Sequence, residues 1–341
     1  MNLDRKLLSI CIPTFNRANY LRQSLTQIQK ELNSDIVSKI EVLVSDNCST
    51  DNTKEVIDNF KNQDLNINYI RNEKNLGWGR NFLQCFELAV SKYVLILGDD
   101  DVLCDNSIDS LIKALQHKEI GVLTFKCYGY DIDWKSEHLN SFSKNNYFYD
   151  SIKYLKKIGP DITMISCCVI NKDYVNMKKI NLIPIGNFSH VHLIITASLV
   201  ANSNLYVSKY LVAAKRNNSS DYDFSKVFVQ EIWSIFEMYQ AYGLNHEVIK
   251  EMKIKWLFSY YPFYWLKQRL EKNNNYLDSL KHCDISFKGI LIYYIWNRPI
   301  LTFPKYFAII FGAVTTFTGR ILNGELLKAY AFIRKHISYL N

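Results

Sequence analysis

The strongest constraint in this 341-residue sequence is one pattern that recurs four times before residue 125: a short, mostly apolar run that stops in polar turn formers. Residues 7–12 (LLSICI) stop at Pro13-Thr14-Phe15-Asn16-Arg17, and residues 40–44 (IEVLV) stop at Ser45-Asp46-Asn47. Residues 67–70 (INYI) lead into a loop from Asn72 to Asn81, and residues 93–97 (YVLIL) end on Gly98-Asp99-Asp100-Asp101. Between them, apolar residues fall at helical spacing: Leu21, Leu25 and Ile28; Val56, Ile57 and Phe60; Phe82 and Phe86, with Ala89 and Val90. A further helix (Ile108, Leu111, Ile112, Leu115) precedes a strand at 122–125. Alternation of this length predicts an α/β domain on a mostly parallel, Rossmann-like sheet flanked by helices. The fully apolar 93–97 run fits a strand covered on both faces.

In an open parallel sheet, ligands bind beyond the carboxyl ends of the strands, so the four polar clusters are expected to form one site. Like charges about 4 Å apart repel by about 1 kcal/mol even in water, which sets a problem for three successive carboxylates at 99–101. A hard divalent cation, Mg²⁺ or Mn²⁺, relieves the repulsion and can bridge a diphosphate. Asn16, Arg17 and Arg80 offer donors to phosphate or base. Gly77 and Gly79 flank Trp78 where the start of a helix can face an anion. Asp46, at a strand end, can accept from the ring N–H of a pyrimidine. Simpler readings stand beside these. Asp51 or Asn52 ahead of Glu55 reads as a helix N-cap, the acidic run alone as a solvated cap, and Asn75-Leu76-Gly77 alone as an ordinary turn.

The chain carries a net charge of +8, unevenly placed. Residues 1–249 hold 27 Lys+Arg against 28 Asp+Glu, whereas residues 250–341 hold 14 against 5. That basic quarter is dense in aromatics: Trp256, Phe258, Tyr260, Tyr261, Phe263, Tyr264 and Trp265, then residues 290–298 and 303–320. Indole and phenol rings rimmed by Lys and Arg suit a helix lying on anionic lipid. A helical subdomain with a solvated basic face is the other reading. No helix-turn-helix, RNA-binding or zinc-finger pattern accompanies the charge, so a nucleic-acid partner is not expected. No run reaches the ~18–20 apolar residues of a spanning helix. The first apolar stretch is too short for a signal peptide. Eight cysteines without a C-x-x-C pair point to a reducing, cytoplasmic setting.

Four strings, SICIPTFNRANYL (9–21), VLVSDNCSTDNT (42–53), NEKNLGWGRNFL (72–83) and YVLILGDDDVL (93–103), together resemble the family 2 glycosyltransferases of the GT-A fold. The resemblance extends through ISCCVINKDYV (165–175) and PIGNFSHVHLI (184–194) toward the abequosyltransferase-like subgroup of O-antigen and surface-polysaccharide enzymes. It implies a GT-A domain over residues 1–230, with a nucleotide half at 1–125 and an acceptor half at 126–230, followed by a helical region at 231–341. It further implies a metal-dependent hexosyl- or deoxyhexosyltransferase that takes a nucleotide-sugar donor and a saccharide acceptor, lipid-linked at the cytoplasmic face of the inner membrane.

Carried over by position, Thr14, Asn16, Arg17, Asp46, Asn75, Gly77, Arg80 and Asp99 would contact the nucleotide sugar, and Asp100 and Asp101 would hold the metal. The family pattern D-x-D-D has Gly98 in its first place here. The acidic pair expected to supply a catalytic base is replaced by Gly186-Asn187-Phe188-Ser189-His190-Val191-His192. His190, then His192, can take that role, because an ordinary imidazole titrates near neutrality. Packed helix histidines are the competing reading, and Asp161 is a third candidate. The missing carboxylate leaves the implied inversion open, and it motivates the alternative of a non-catalytic sugar-nucleotide-binding or scaffold protein.

Overall fold

Strand β1 (Leu8–Thr14) is buried along its whole length and is an interior strand, third from one edge, of a nine-stranded sheet. The structure is a computed structural model that describes residues 5–63, 65–139, 144–186, 188–216, 223–270 and 276–322. It divides into two compact units, Met1–Asp221 and Tyr222–Asn341.

In the first unit, β1 pairs in parallel with β2 (Ile40–Asp46) on one side and β4 (Tyr93–Ile96) on the other, and β3 (Ile67–Arg71) extends the sheet beyond β2. Helices α1 (Ala18–Glu31), α2 (Ser34–Lys39), α3 (Thr53–Lys61), α4 (Trp78–Leu88) and α5 (Ser107–His117) connect or flank these strands. Each main helix turns its periodic apolar residues inward. Leu21, Leu25 and Ile28 of α1, Val56 and Ile57 of α3, and Ile108, Leu111 and Ile112 of α5 join one core with Ile10, Val42 and Leu95. Ala89 and Val90 fall just past the end of α4, and Val90 is exposed.

The sheet departs from a parallel continuation at β4. Its next neighbour is β8 (Cys168–Asn171), which runs antiparallel both to β4 and to β6 (Val122–Tyr130). The twelve-residue β9 (Asn204–Lys215) runs parallel to β6, with register shifts around Lys126. Two short strands, β5 (Val102–Leu103) and β7 (Asn145–Phe148), add antiparallel to β9. The sheet is therefore mixed, parallel through β3-β2-β1-β4 and mostly antiparallel beyond. Helices α6 (Ser151–Ile158), α7 (Met177–Ile180) and α8 (Ser189–Val200) complete this unit. The register places Thr14 opposite Asp46 and Asp46 opposite Arg71, so the ends of the first three strands lie level. Cys11 is level with Ile96, which brings the 98–101 turn to the same edge.

The second unit is helical: α9 (Ile232–Met238), α10 (His246–Ser259), α11 (Tyr261–Leu270), α12 (Tyr276–Ser286), α13 (Arg298–Thr302) and α14 (Lys305–Leu322). Its core is aromatic. Trp233, Trp256, Tyr261, Trp265, Phe287 and Tyr293 are fully buried. The indole N–H of Trp233 donates to the Tyr261 hydroxyl (2.9 Å), which donates to the Phe228 carbonyl (2.8 Å). Trp256, Tyr261 and Trp265 of the 256–265 run are thus core. The Tyr261 hydroxyl is satisfied there, whereas the indole N–H groups of Trp256 and Trp265 are enclosed without a hydrogen-bond partner among the described residues. Among the described residues no helix is long and apolar enough to cross a membrane. All eight cysteines are free, six of them buried.

The tightest approach in the first unit lies at Gly121, ahead of β6. A Cβ there would stand 2.4 Å from the Ala201 Cβ and 2.5 Å from the Ala197 carbonyl oxygen. Gly121→Ala is expected to destabilise the protein by about 1–3 kcal/mol through overpacking. A urea melt would show this as a lowered midpoint with an unchanged slope.

Candidate active site

The acidic turn follows β4 directly. The Asp101 N–H donates to the Gly98 carbonyl (3.1 Å), closing a turn that brings Asp99, Asp100 and Asp101 together. Asp99 and Asp101 are buried. Asp99 accepts from the Thr14 hydroxyl (2.8 Å) and from Arg17 Nη1 (3.2 Å), which also reaches Asp100 (3.1 Å). Burial, reinforced by Asp100, still pushes the Asp99 carboxyl up to about 6 against the pull of Arg17. Burial does the same to Asp101, with Asp100 and Asp99 adding repulsion, and lifts it well above the ordinary carboxylate range. A hydrogen bond from Ser166 Oγ, which also accepts the Gly98 N–H (2.9 Å), holds Asp101 in place. A Cβ on Gly98 would lie 3.1 Å from oxygens of both Asp100 and Asp101. The glycine that replaces an expected aspartate thus leaves the space against which the Asp100 and Asp101 carboxylates fold.

The other three strand ends adjoin one another. Asn16 adopts φ 54°, a left-handed conformation that asparagine tolerates better than most residues. There its N–H donates to Ser49 Oγ (2.9 Å), and its side-chain oxygen accepts from the Thr50 N–H (2.7 Å). Asp51 caps two helices at once, accepting from the Ala18 N–H (2.9 Å) at the start of α1 and from Thr53 N–H and Oγ1 (3.1 and 2.6 Å) at the start of α3. The capping reading of Asp51 therefore describes its role. Asp46 is fully buried. It accepts from the Ser49 N–H (2.8 Å) and the Tyr69 hydroxyl (2.7 Å), with Arg71 Nε 3.6 Å away. Burial and that carboxylate push the Tyr69 phenol up.

Under the 72–81 loop runs a carboxamide network that sequence reasoning passed over. Asn47 donates to Asn75 (2.8 Å) and accepts from the Leu76 N–H (2.9 Å) and from Asn72 (3.2 Å). Asn81 bridges Ser45 and Asn72, and Gln84 donates to Asn72 (2.7 Å). Asn75 in turn accepts from the Gly77 N–H (2.8 Å), and Gly77 takes φ 79°. A Cβ on Gly79 would meet the Gly186 carbonyl oxygen at 2.6 Å, so the chain ahead of α8 lies against the start of α4. Asn47, Asn72 and Asn81 all fall inside strings that carry the family resemblance, which was the available signal. Ser166 likewise lies in 165–175.

Three expected site residues are engaged elsewhere or enclosed. Arg80 forms a paired contact with Glu87 (2.9 and 3.3 Å), two turns along α4, and reaches Asn181 (3.4 Å). His190 and His192 are buried in α8, and burial lowers both to about 4. This corrects the expectation of near-neutral imidazoles. Residues 189–197 of α8 are almost wholly enclosed, so each ring loses the water that would stabilise its protonated form. Asn187 lies outside the described residues. Asp161 sits in the turn Gly159–Thr163, partly exposed, and its charge is felt at Cys167 and Cys168, beside Ser166.

Among the described residues no group of three or more His, Cys, Asp or Glu side chains is arranged to hold a metal. Two carboxylates of the acidic turn suit the mode in which Mg²⁺ takes one or two carboxylates and completes its shell with substrate phosphates and water. A cation there would also relieve the mutual repulsion that lifts Asp99 and Asp101. In the first unit, a cavity of about 330 Å³ is lined by Arg22, Gln23, Lys30, Trp134 and Lys135, among others.

The sequence profile of "Glycosyl transferase family 2" matches residues 9–177. The abequosyltransferase RfbV of Salmonella typhimurium is 33% identical over 230 residues, covering 63% of this chain and 68% of that protein. A GalNAc(5)-diNAcBac-PP-undecaprenol beta-1,3-glucosyltransferase of Campylobacter jejuni is 33% identical over 107 residues, 31% of this chain and 33% of that one. In architecture, the crystal structure of S. aureus TarS 1–349 in complex with UDP-GlcNAc superposes with a TM-score of 0.63 at 16% identity, over 94% of this chain and 92% of that one. Sheet, strand-end site and sequence agree, and the chain belongs to glycosyl transferase family 2.

Proposed function

We propose that this glycosyltransferase moves a hexosyl or deoxyhexosyl group from a nucleoside-diphosphate sugar to a lipid-linked saccharide in bacterial surface-polysaccharide synthesis. The observation that carries the reading is the convergence of Thr14, Arg17 and Ser166 on a buried acidic turn at the ends of parallel strands. The names of its relatives support the substrate classes: an abequosyltransferase and an undecaprenol-linked glucosyltransferase. A lipid-linked acceptor would place the reaction at the cytoplasmic face of the membrane.

In this reading the nucleotide lies across the ends of β1 to β3. Thr14, Asn16 and Arg17 form one wall. Asp46, oriented by Ser49 and Tyr69, accepts from the base. The Asn47–Asn75 pair and Gly77 shape the loop over the sugar phosphate, and Asp99 serves the ribose. Asp100 and Asp101 would hold Mg²⁺ or Mn²⁺, which when bound offsets the charge of the departing diphosphate. In the transfer, the acceptor oxygen bonds to the anomeric carbon as the bond from that carbon to the donor phosphate oxygen breaks. The nucleoside diphosphate leaves, and the acceptor's hydroxyl proton must pass to a base. Asp161 is the carboxylate that serves best, since it is partly exposed and near Ser166, whereas His190 and His192 are enclosed.

Turnover of a panel of sugar nucleotides, with and without divalent metal, tests the reading. Asp100→Ala is expected to lower transfer by about 100-fold or more while the protein stays folded. Unchanged transfer would remove the metal assignment. A folded protein that binds sugar nucleotides yet turns none over would favour the scaffold alternative.

Asp161→Asn should lower kcat by roughly 10²–10⁴ with little change in donor KM, as loss of a general base does. His190→Gln should leave kcat within a few-fold of the parent. The opposite ranking would return the base to the histidine.

The enclosed histidines also set a pH dependence. Their folded values near 4 lie below the ordinary 6.5, so the unfolded chain binds protons first as pH falls. Stability is therefore full above about 6.5 and declines toward pH 4, by up to about 3 kcal/mol per ring. Denaturant melts between pH 7 and 4.5 should show this decline, and a His190→Phe/His192→Leu variant should flatten it. An unchanged slope would contradict the burial argument.

A further inference from the structure

Helix α14 is built with its small residues inward and its large apolar residues outward. Ala308, Gly312, Thr315, Thr316 and Gly319 are its buried positions. They let it approach the neighbouring helices closely: a Cβ on Gly319 would stand 2.2 Å from the Phe258 carbonyl oxygen, and one on Gly312 3.2 Å from Leu266 and Ile300. The opposite face carries Tyr306 (82% exposed), Phe307 (68%), Ile310 (65%) and Val314 (57%), with Phe317 and Ile321 less exposed. At about 100° of rotation per residue, these six fall within one stripe about 100° wide along the helix. A core helix normally presents the reverse arrangement.

We propose that this stripe is a docking surface for an anionic lipid bilayer, with α14 lying in the plane of the interface. The helix contains no Asp or Glu and is bracketed by Lys305 and Arg320. It belongs to the stretch 250–341, where 14 cationic side chains face 5 acidic ones. Pairing two copies of a region with this excess of positive charge would add self-repulsion, whereas anionic headgroups satisfy the charge while acyl chains take up the stripe. Tyr306 next to Lys305 supplies the ring and cation that favour the headgroup level. The helix is too weakly apolar to cross the bilayer. This face was legible in the sequence only as one of three aromatic stretches. The 256–265 stretch buries its anchors, while the 303–320 stretch keeps an exposed stripe.

The inference goes beyond the donor and acceptor assignment and stands on α14 alone. Flotation of the full chain with vesicles of phosphatidylcholine, with and without 30% phosphatidylglycerol, tests it. The expected result is binding to the anionic vesicles at low salt, weaker binding to neutral ones, and loss as salt is raised. A Phe307→Glu/Ile310→Glu/Val314→Glu variant, whose exposed positions leave the core intact, should reduce the bound fraction at least tenfold. Its metal-dependent hydrolysis of sugar nucleotides in free solution should remain unchanged, so failure here and failure of the transferase reading are separable. Absence of flotation at low salt, or equal flotation of the variant, would overturn the proposal. So would light scattering that shows a dimer of the parent lost in the variant, since the stripe would then pair two copies.

Discussion

Two carboxylates, those of Asp99 and Asp101, are withdrawn from water at the end of β4, and the surrounding strand ends are arranged to make that tolerable. Each needs compensation that a solvated loop would not. Thr14 and Arg17 reach Asp99 from the end of β1, and Ser166 reaches Asp101 from the segment ahead of β8. The compensation is incomplete, as the upward shift of both carboxyls records. A buried site left short of positive charge is chemically poised for a cation-bearing ligand. The parallel register fixes this geometry, since β1 and β4 must end level for Thr14 to meet Asp99.

Around that centre the structure stores precision in neutral hydrogen bonds. The Asn47, Asn72, Asn75 and Asn81 side chains tie the end of β2 to the 72–81 loop and to α4. Such a network specifies loop shape, because an amide left unpaired in that setting would lose more than an ordinary hydrogen bond contributes. Gly77 and Gly79 serve the same end, one through its left-handed backbone and the other by admitting the Gly186 carbonyl.

The parallel half of the fold was legible because its signal is local. Apolar runs, helical spacing and polar strand ends predict β1 to β4 and the helices between them, and all appear close to the expected boundaries. The insertion of β8 between β4 and β6 was not legible, because an antiparallel partner more than seventy residues away leaves no local trace. In the site, residue type and strand-end position pointed to Thr14, Arg17 and the acidic turn, which the structure brings together. They carried no sign that Arg80 pairs with Glu87, two helical turns away, or that the two histidines are enclosed. Sequence places His190 and His192 near a substrate but says nothing of enclosure, and enclosure decides their titration. The same blindness applied to the aromatic quarter, where Trp256 and Phe307 look alike in composition yet one is core and the other surface.

The central claim is that the acidic turn and the three strand ends beside it hold a nucleoside diphosphate and its cation as one unit. A crystal structure of the protein soaked with UDP-sugar and Mn²⁺, with anomalous scattering from the metal, tests it most directly. The expected result is an anomalous peak at the Asp100 and Asp101 carboxylates, beside the diphosphate, with the base next to Asp46. A nucleotide bound away from Asp46, or a metal that ignores the acidic turn, would contradict it.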